Sequence, residues 1–172
     1  MANREWSDCI RTLEDNIGTV ESFWRAVKGV YLPAGLTDSE DYFFFKKGIT
    51  PMWEDPMNKD GGRIVLCMKG RQDNQPKDAR NRLNFNWLEL LMALVGEQFS
   101  EKDTECICGA TVSRRRGLAK LGLWITADAS ESTRKRLITY MERKLKLIGD
   151  EEVRYQPHNQ CNRRKNKLRR RK

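Results

Sequence analysis

Behind Thr19, the apolar residues Val20, Phe23, Trp24, Val27 and Val30 recur at helical spacing, with Glu21 in the first turn. A threonine hydroxyl can accept the first unpaired N–H groups and a carboxylate suits the helix N-terminus, so the pattern predicts an amphipathic helix there. Asp41-Tyr42-Phe43-Phe44-Phe45, closed by Lys46-Lys47-Gly48, reads as a strand, and Arg63 to Met68 as a second. Between them, Pro51 to Gly62 holds two prolines, two glycines and several charges, the composition of a long loop. After a polar turn from Gly70 to Asp78, a helix is expected over Asn86 to Phe99, apolar on more than one stripe through Trp87, Leu88, Leu91, Met92, Leu94 and Val95. Ile107 to Arg114 and Lys120 to Thr126 form strands around a basic turn, Arg114 to Ala119. The third helix is expected over Ser130 to Ile148, capped by Asp128 with Glu131 behind it. Leu137, Met141, Leu145 and Ile148 would face inward there, with Arg134, Lys135, Arg136, Arg143 and Lys144 in water. A last short strand spans Glu152 to Gln156. Three helices interspersed with strands and one basic hairpin predict a mixed α+β domain.

Composition narrows the function. The 172 residues suffice for one domain, expected over residues 1–160, with a basic, unstructured tail over 161–172. The net charge is +9, and residues 163–172 hold eight basic and no acidic side chains, so nearly all of the excess sits in that tail. Five cysteines, an odd number without a secretory leader, read as reduced thiols of the cytoplasm or nucleus. Cys106 and Cys108 are too close for a zinc knuckle, and alternation on a strand would put both on one face; no metal or cofactor is expected. No apolar run reaches the ~20 residues of a membrane span. The chain has no phosphate-cradling glycine loop, nucleophile elbow or metal-binding histidine pair. His158, the single histidine, stands in a polar segment without a catalytic partner nearby in sequence. Together these exclude the common enzyme signatures and favour recognition.

The recognition chemistry concentrates in Pro51-Met52-Trp53-Glu54-Asp55 and in Gly61-Gly62-Arg63. An indole stacks best on an electron-poor ring, a carboxylate accepts two parallel N–H bonds from one guanine edge, and a guanidinium meets phosphate. Taken alone, a tryptophan beside an acid is more often a half-buried core aromatic. Trp6 has polar neighbours and reads either as an exposed binding residue or as packing under the next turn. Trp24 reads as core or as an anchor for a partner helix. The arginines from Arg114 to Arg116 repel one another at one turn, which reads either as a solvated loop or as a site for an anionic ligand.

The order of motifs resembles the eukaryotic translation initiation factor 4E family, which binds the N7-methylguanosine cap of messenger RNA. The matching blocks are Thr19 to Trp24, Phe45 to Ile49 leading to Pro51-Met52-Trp53-Glu54-Asp55, Asn58 to Arg63, Trp87-Leu88-Glu89, Gly96-Glu97-Gln98-Phe99, and Cys108-Gly109-Ala110 through Trp124. The resemblance implies a curved antiparallel sheet backed by three helices, with the cap slot on the concave side. It gives Trp53 and Trp6 the two faces of the methylated guanine, Glu54 its N1 and N2 protons, and Trp124 the methyl group. Arg63, Arg115 and Lys120 would meet the phosphates. On the convex side Val20, Trp24, Leu88, Glu89, Met92, Val95 and Glu97 would dock the Tyr-x-x-x-x-Leu-apolar helix of the scaffold factor 4G and of 4E-binding proteins.

The chain begins almost at Trp6, so the family's first strand and His-Pro dipeptide are missing from it, with an unpaired sheet edge and a weaker convex site as the expectation. Gly117 stands where a basic residue is common, with Arg114 and Arg116 beside it in compensation. The Gly-Glu-Gln-Phe block is closer to the 4E-homologous repressor branch, and Trp6 to the initiating branch. The implied function is monomeric, non-enzymatic cap binding that controls translation. The alternative is an interaction module that sequesters 4G-like partners and binds little cap.

Overall fold

The computed structural model describes residues 9–14, 16–69, 77–115 and 118–159. Two compact units follow one another along the chain, Met1–Tyr31 and Leu32–Lys172. The first is built on helix α1, Val20–Lys28. Thr19 caps it: its hydroxyl accepts the Ser22 N–H at 3.2 Å, and the Ser22 hydroxyl accepts the Thr19 N–H at 3.1 Å. Phe23 is buried, with the Trp24 ring edge-on at 5.2 Å. Val20 is exposed, so the inner stripe expected from its spacing starts one turn later.

The second unit is an α+β layer structure. Its strands are β1 (Asp41–Phe45), β2 (Gly62–Lys69), β3 (Ile107–Arg115), β4 (Leu118–Ile125) and β5 (Val153–Pro157), all antiparallel, in the spatial order β1-β3-β4-β2-β5. The sheet is curled but not closed. Helices α2 (Lys77–Val95) and α4 (Glu131–Lys144) pack on one face, and a short α3 (Glu101–Cys106) leads into β3. Among the described residues four α-helices stand where three were expected. The addition is α3, whose six residues carry no apolar stripe; it is held by the Ser100 hydroxyl at its N-terminus and by an ion pair of Asp103 with Arg136 of α4.

Strand alternation sorts the sheet into two faces. Ile64, Leu66 and Met68 of β2, Ala110 and Val112 of β3, and Leu121, Leu123 and Ile125 of β4 are buried with Leu90, Leu137 and Met141 of the helices. Each such side chain removed from water contributes roughly 1.5–3 kcal/mol before entropy, so this layer is the main source of cohesion.

Several expected boundaries move. Helix α2 begins at Lys77, nine residues before the expected start at Asn86. Beside Leu83 its early turns bury Arg82 and Asn86, polar residues that a hydrophobic pattern does not place inside. Arg82 makes a two-point ion pair with Glu151 (2.5 and 2.9 Å) and donates to the Lys146 carbonyl, while Asn86 exchanges two bonds with the Lys146 backbone. The helix ends at Val95, so Phe99 lies beyond it, 4.6 Å from the Tyr140 ring. Ser130 rather than Asp128 caps α4, and Ile148 is exposed past its end. Arg134, expected in water, lies over the Tyr155 ring at 4.4 Å. Cys106 closes a helix while Cys108 is buried on a strand, so the two thiols do not share a strand face. Burial raises the Cys108 pKa to about 11, leaving an inert thiol that donates weakly to the Met57 carbonyl. No cluster of metal-binding side chains occurs among the described residues, and no described helix is long and apolar enough to cross a membrane.

Candidate nucleotide-recognition face

The sheet face turned away from α2 and α4 carries the residues singled out above. Strand register sets them in rows. Phe45, Gly109, Trp124, Arg63 and Gln156 lie side by side across β1, β3, β4, β2 and β5. The Phe45 ring meets Trp124 edge-on at 5.5 Å, an arrangement that needs Gly109 between them, since a Cβ there would come within 2.5 Å of the Phe44 carbonyl and the Phe45 ring. Trp124 is 7% exposed and donates its indole N–H to the Thr111 hydroxyl at 3.3 Å. Arg63 reaches the Gln156 amide oxygen at 3.5 Å. Alternation continues the same face along β4 through Gly122 to Lys120, four residues and so ~13 Å from Trp124, and then to the pairing of Leu118 with Arg115.

The loop from β1 to β2 starts and ends beside this row. It leaves at Phe45 and returns at Gly62, both at the end of the sheet where Trp124 sits. Its shape is fixed from inside. The Asp55 carboxylate accepts the N–H groups of Thr50 and Met57 at 2.8 and 2.9 Å. Asn58, fully buried, donates its amide to the carbonyls of Thr50 and Met52 at 2.8 and 2.7 Å. At the loop's exit Gly61 has no room for a side chain, since a Cβ would collide with the Ile125 carbonyl. Trp53, half-buried, and Glu54, exposed, are thus presented on a rigid support rather than on a free loop.

His158, in a segment that is polar in sequence, belongs to this end of the sheet. Its backbone N–H bonds the Gly61 carbonyl, which turns the chain beyond β5 inward, and its ring lies 4.3 Å from that of Trp124. Burial, with Arg63 nearby, lowers its pKa to about 4, so the ring is neutral at physiological pH. Asn58 was visible in the Asn58-to-Arg63 block without an assigned task. Its signal is an amide among turn residues, which is ambiguous until the fold supplies the carbonyls it reaches.

The basic hairpin differs in detail from the expected turn over Arg114 to Ala119. Arg114 pairs with Ala119 and Arg115 with Leu118, so both strands run further and the tip is residues 116–117, outside the described residues. Arg114 points away from the recognition face and donates to the carbonyls of Ala34 and Leu36 at 2.9 and 2.6 Å, so it does not compensate for Gly117. Arg115 is on the recognition face, in a two-point ion pair with Asp41 of β1. Trp6 and the basic tail also lie outside the described residues.

Of the expected partner-docking residues, Val20 is exposed and Trp24 half-buried on α1. On α2, Leu88 and Met92 are half-buried and Val95 is exposed, successive positions of one helical stripe, with Glu89 half-buried beside it. Glu97 follows the helix end in left-handed backbone, φ 50°, and is exposed. Trp87, by contrast, is core.

A curled, open antiparallel sheet with an aromatic and basic face on one side and helices on the other defines an α+β protein of the initiation factor 4E fold. The family model described as "Eukaryotic initiation factor 4E" matches residues 1–172, and the chain belongs to that family. It is 38% identical over 157 residues to eukaryotic translation initiation factor 4E-3 of Caenorhabditis elegans, covering 91% of this chain and 60% of that protein. It is 44% identical over 135 residues to eukaryotic translation initiation factor 4E of Aplysia californica, covering 77% and 59%. The chain thus spans about three-fifths of the length of these curated relatives. Among solved structures, the complex of C. elegans eIF4E-3 with the 4E-binding protein Mextli superposes with a TM-score of 0.82 at 35% identity, covering 92% of this chain and 86% of that one. The complex of Ascaris suum eIF4E-3 with m7G cap gives 0.80 at 36% identity, covering 92% and 84%.

Proposed function

We propose that this chain binds the N7-methylguanosine cap of messenger RNA and, through the outer stripe of α2, a helical partner that couples the cap to translation initiation. The observation that carries the reading is the row Phe45–Trp124–Arg63 at the end of the sheet where the Asn58-braced loop of Trp53 and Glu54 begins and ends. N7-methylation makes guanine cationic, and a cation over an indole is stabilised by about 2 kcal/mol when desolvated. Trp53 and Trp6 supply the two stacking faces, Glu54 accepts the N1 and N2 protons, and Trp124 lies at the methyl group. Arg63, Lys120 and Arg115 follow the phosphates along the sheet. The role is binding without chemistry, in the cytoplasm and with a nuclear share, on capped messenger RNA and on factor 4G or 4E-binding proteins with the Tyr-x-x-x-x-Leu-apolar motif. Val20 and Trp24 of α1 belong to the partner-docking set with Leu88, Glu89, Met92, Val95 and Glu97.

Tryptophan fluorescence quenching tests the reading. Saturable quenching by an N7-methylated cap analogue, at least tenfold weaker with the unmethylated analogue and lost in Glu54→Ala and Trp53→Ala, is expected. Equal response to both analogues would falsify it. A folded protein that binds a Tyr-x-x-x-x-Leu peptide but no cap would instead be the partner-sequestering module.

A further inference from the structure

Among the described strand residues of the recognition face, one acidic residue is placed against the basic row. Asp41, at the start of β1, lies opposite Ser113, which in turn lies opposite Lys120, so carboxylate and ammonium occupy one row of the sheet. Its carboxylate grips the Arg115 guanidinium at 2.8 and 2.6 Å, while Nη1 of the same guanidinium also donates to the carbonyls of Glu40 and Arg114 at 3.3 and 2.6 Å. Asp41 is 19% exposed and Arg115 45%, so the pair sits at the surface, open to an incoming anion.

The geometry points to Asp41 as the residue that sets how many phosphates of a capped ligand contribute to binding, by competing with them for Arg115. This rests on the cap-binding reading above. Two parallel N–H···O bonds to a carboxylate use the same fork that would hold a phosphate, so the two acceptors exclude one another on that edge. An exposed pair of this kind is weak, so a doubly charged terminal phosphate displaces it at modest cost. Arg63 lies in the Trp124 row, four residues along the strands from the row of Asp41 and Lys120, so a phosphate held there, nearest the base, is out of reach of the Asp41 carboxylate. Asp41 therefore discounts the distal phosphates and leaves recognition of the base and the first phosphate unaltered.

The test is a thermodynamic cycle of Asp41→Asn and Arg115→Ala, read by fluorescence titration with N7-methylguanosine mono- and triphosphate. Asp41→Asn is expected to raise triphosphate affinity about three- to tenfold, to leave the monophosphate within about twofold, and to steepen the salt dependence. The gain should vanish on the Arg115→Ala background. Unchanged or weaker triphosphate binding in Asp41→Asn, or a gain that persists without Arg115, overturns the proposal and makes Asp41 a positioning residue or a bystander. Should Asp41→Asn lose its folded circular dichroism spectrum, Arg115→Lys gives the same reading, since a lysine cannot keep the two-point pair: a triphosphate-to-monophosphate ratio no higher than wild type overturns it. Wild type that binds neither analogue removes the cap reading itself, an outcome distinct from binding both without the expected ratio.

Discussion

The His158 imidazole lies against the Trp124 indole, ring centres 4.3 Å apart and planes inclined by 43°, on a segment fastened to the recognition loop by the His158 N–H to Gly61 carbonyl bond. One buried contact thus joins the sheet floor to the base of the Trp53 loop.

Acid should weaken the fold through this contact. Burial lowers the folded His158 pKa to about 4 from an ordinary 6.5, so the unfolded chain binds the proton first as pH falls. Stability is complete above about 6.5 and declines down to about 4, by up to roughly 3 kcal/mol. Urea denaturation against pH measures the decline, and His158→Gln should flatten it. Cap binding should show no inflection between about pH 6 and 7 that His158→Gln removes, because the folded imidazole stays neutral there.

Removing Asn58 should disorganise the Trp53 loop. Its amide satisfies two loop carbonyls from a fully buried position. Asn58→Ala leaves both without that donor and opens a void, at a cost of about 2–3 kcal/mol. Since Trp53 and Glu54 ride on that loop, cap affinity should fall by more than tenfold even in the fraction that remains folded. An unchanged dissociation constant in a destabilised variant would show that the loop is positioned by other contacts.

Much of this arrangement is legible in the sequence where local pattern and tertiary demand coincide. The aromatic run of β1, the apolar run of β2 and the Thr19 cap are such places. The first turns of α2 are not, because Arg82 and Asn86 are polar residues made compatible with burial only by Glu151 and the Lys146 backbone, more than fifty residues away. His158 was hidden for the same reason: a polar segment in sequence becomes an interior one when β5 delivers it to Trp124. Arg114 and Arg115 are adjacent and identical in type. The strand pleat alone sends one to the Ala34 and Leu36 carbonyls and the other to Asp41.

The Arg82–Glu151 pair should be costly to break from one side. Both side chains are under a tenth exposed, and Glu151 also accepts the Ile148 N–H at 3.1 Å. Arg82→Met strands a carboxylate in that setting and is expected to cost about 3–5 kcal/mol. Replacing both partners, Arg82→Met with Glu151→Met, should recover part of the loss, because no unpaired charge remains buried. Chemical denaturation of the two variants decides this, and a double variant no better than the single one would place the stabilisation in the Lys146 and Ile148 backbone bonds instead.

The outer stripe of α2 should separate binding from folding. Val95 is 44% exposed, at the helix end beside Leu88 and Met92 on the same stripe. Val95→Asp therefore removes little burial, and stability should stay within about 0.5 kcal/mol of wild type. A helical Tyr-x-x-x-x-Leu peptide laid on that stripe would meet a carboxylate at the position where it needs an apolar contact, so its affinity should fall at least tenfold while cap quenching is unchanged. Leu88→Ala should act in the same direction with a larger stability cost, since Leu88 is half-buried and its outer part alone is available to a partner. Peptide binding that survives both substitutions would move the docking surface off α2, whereas loss of cap binding together with peptide binding would mean that the two faces of the sheet are coupled through its core.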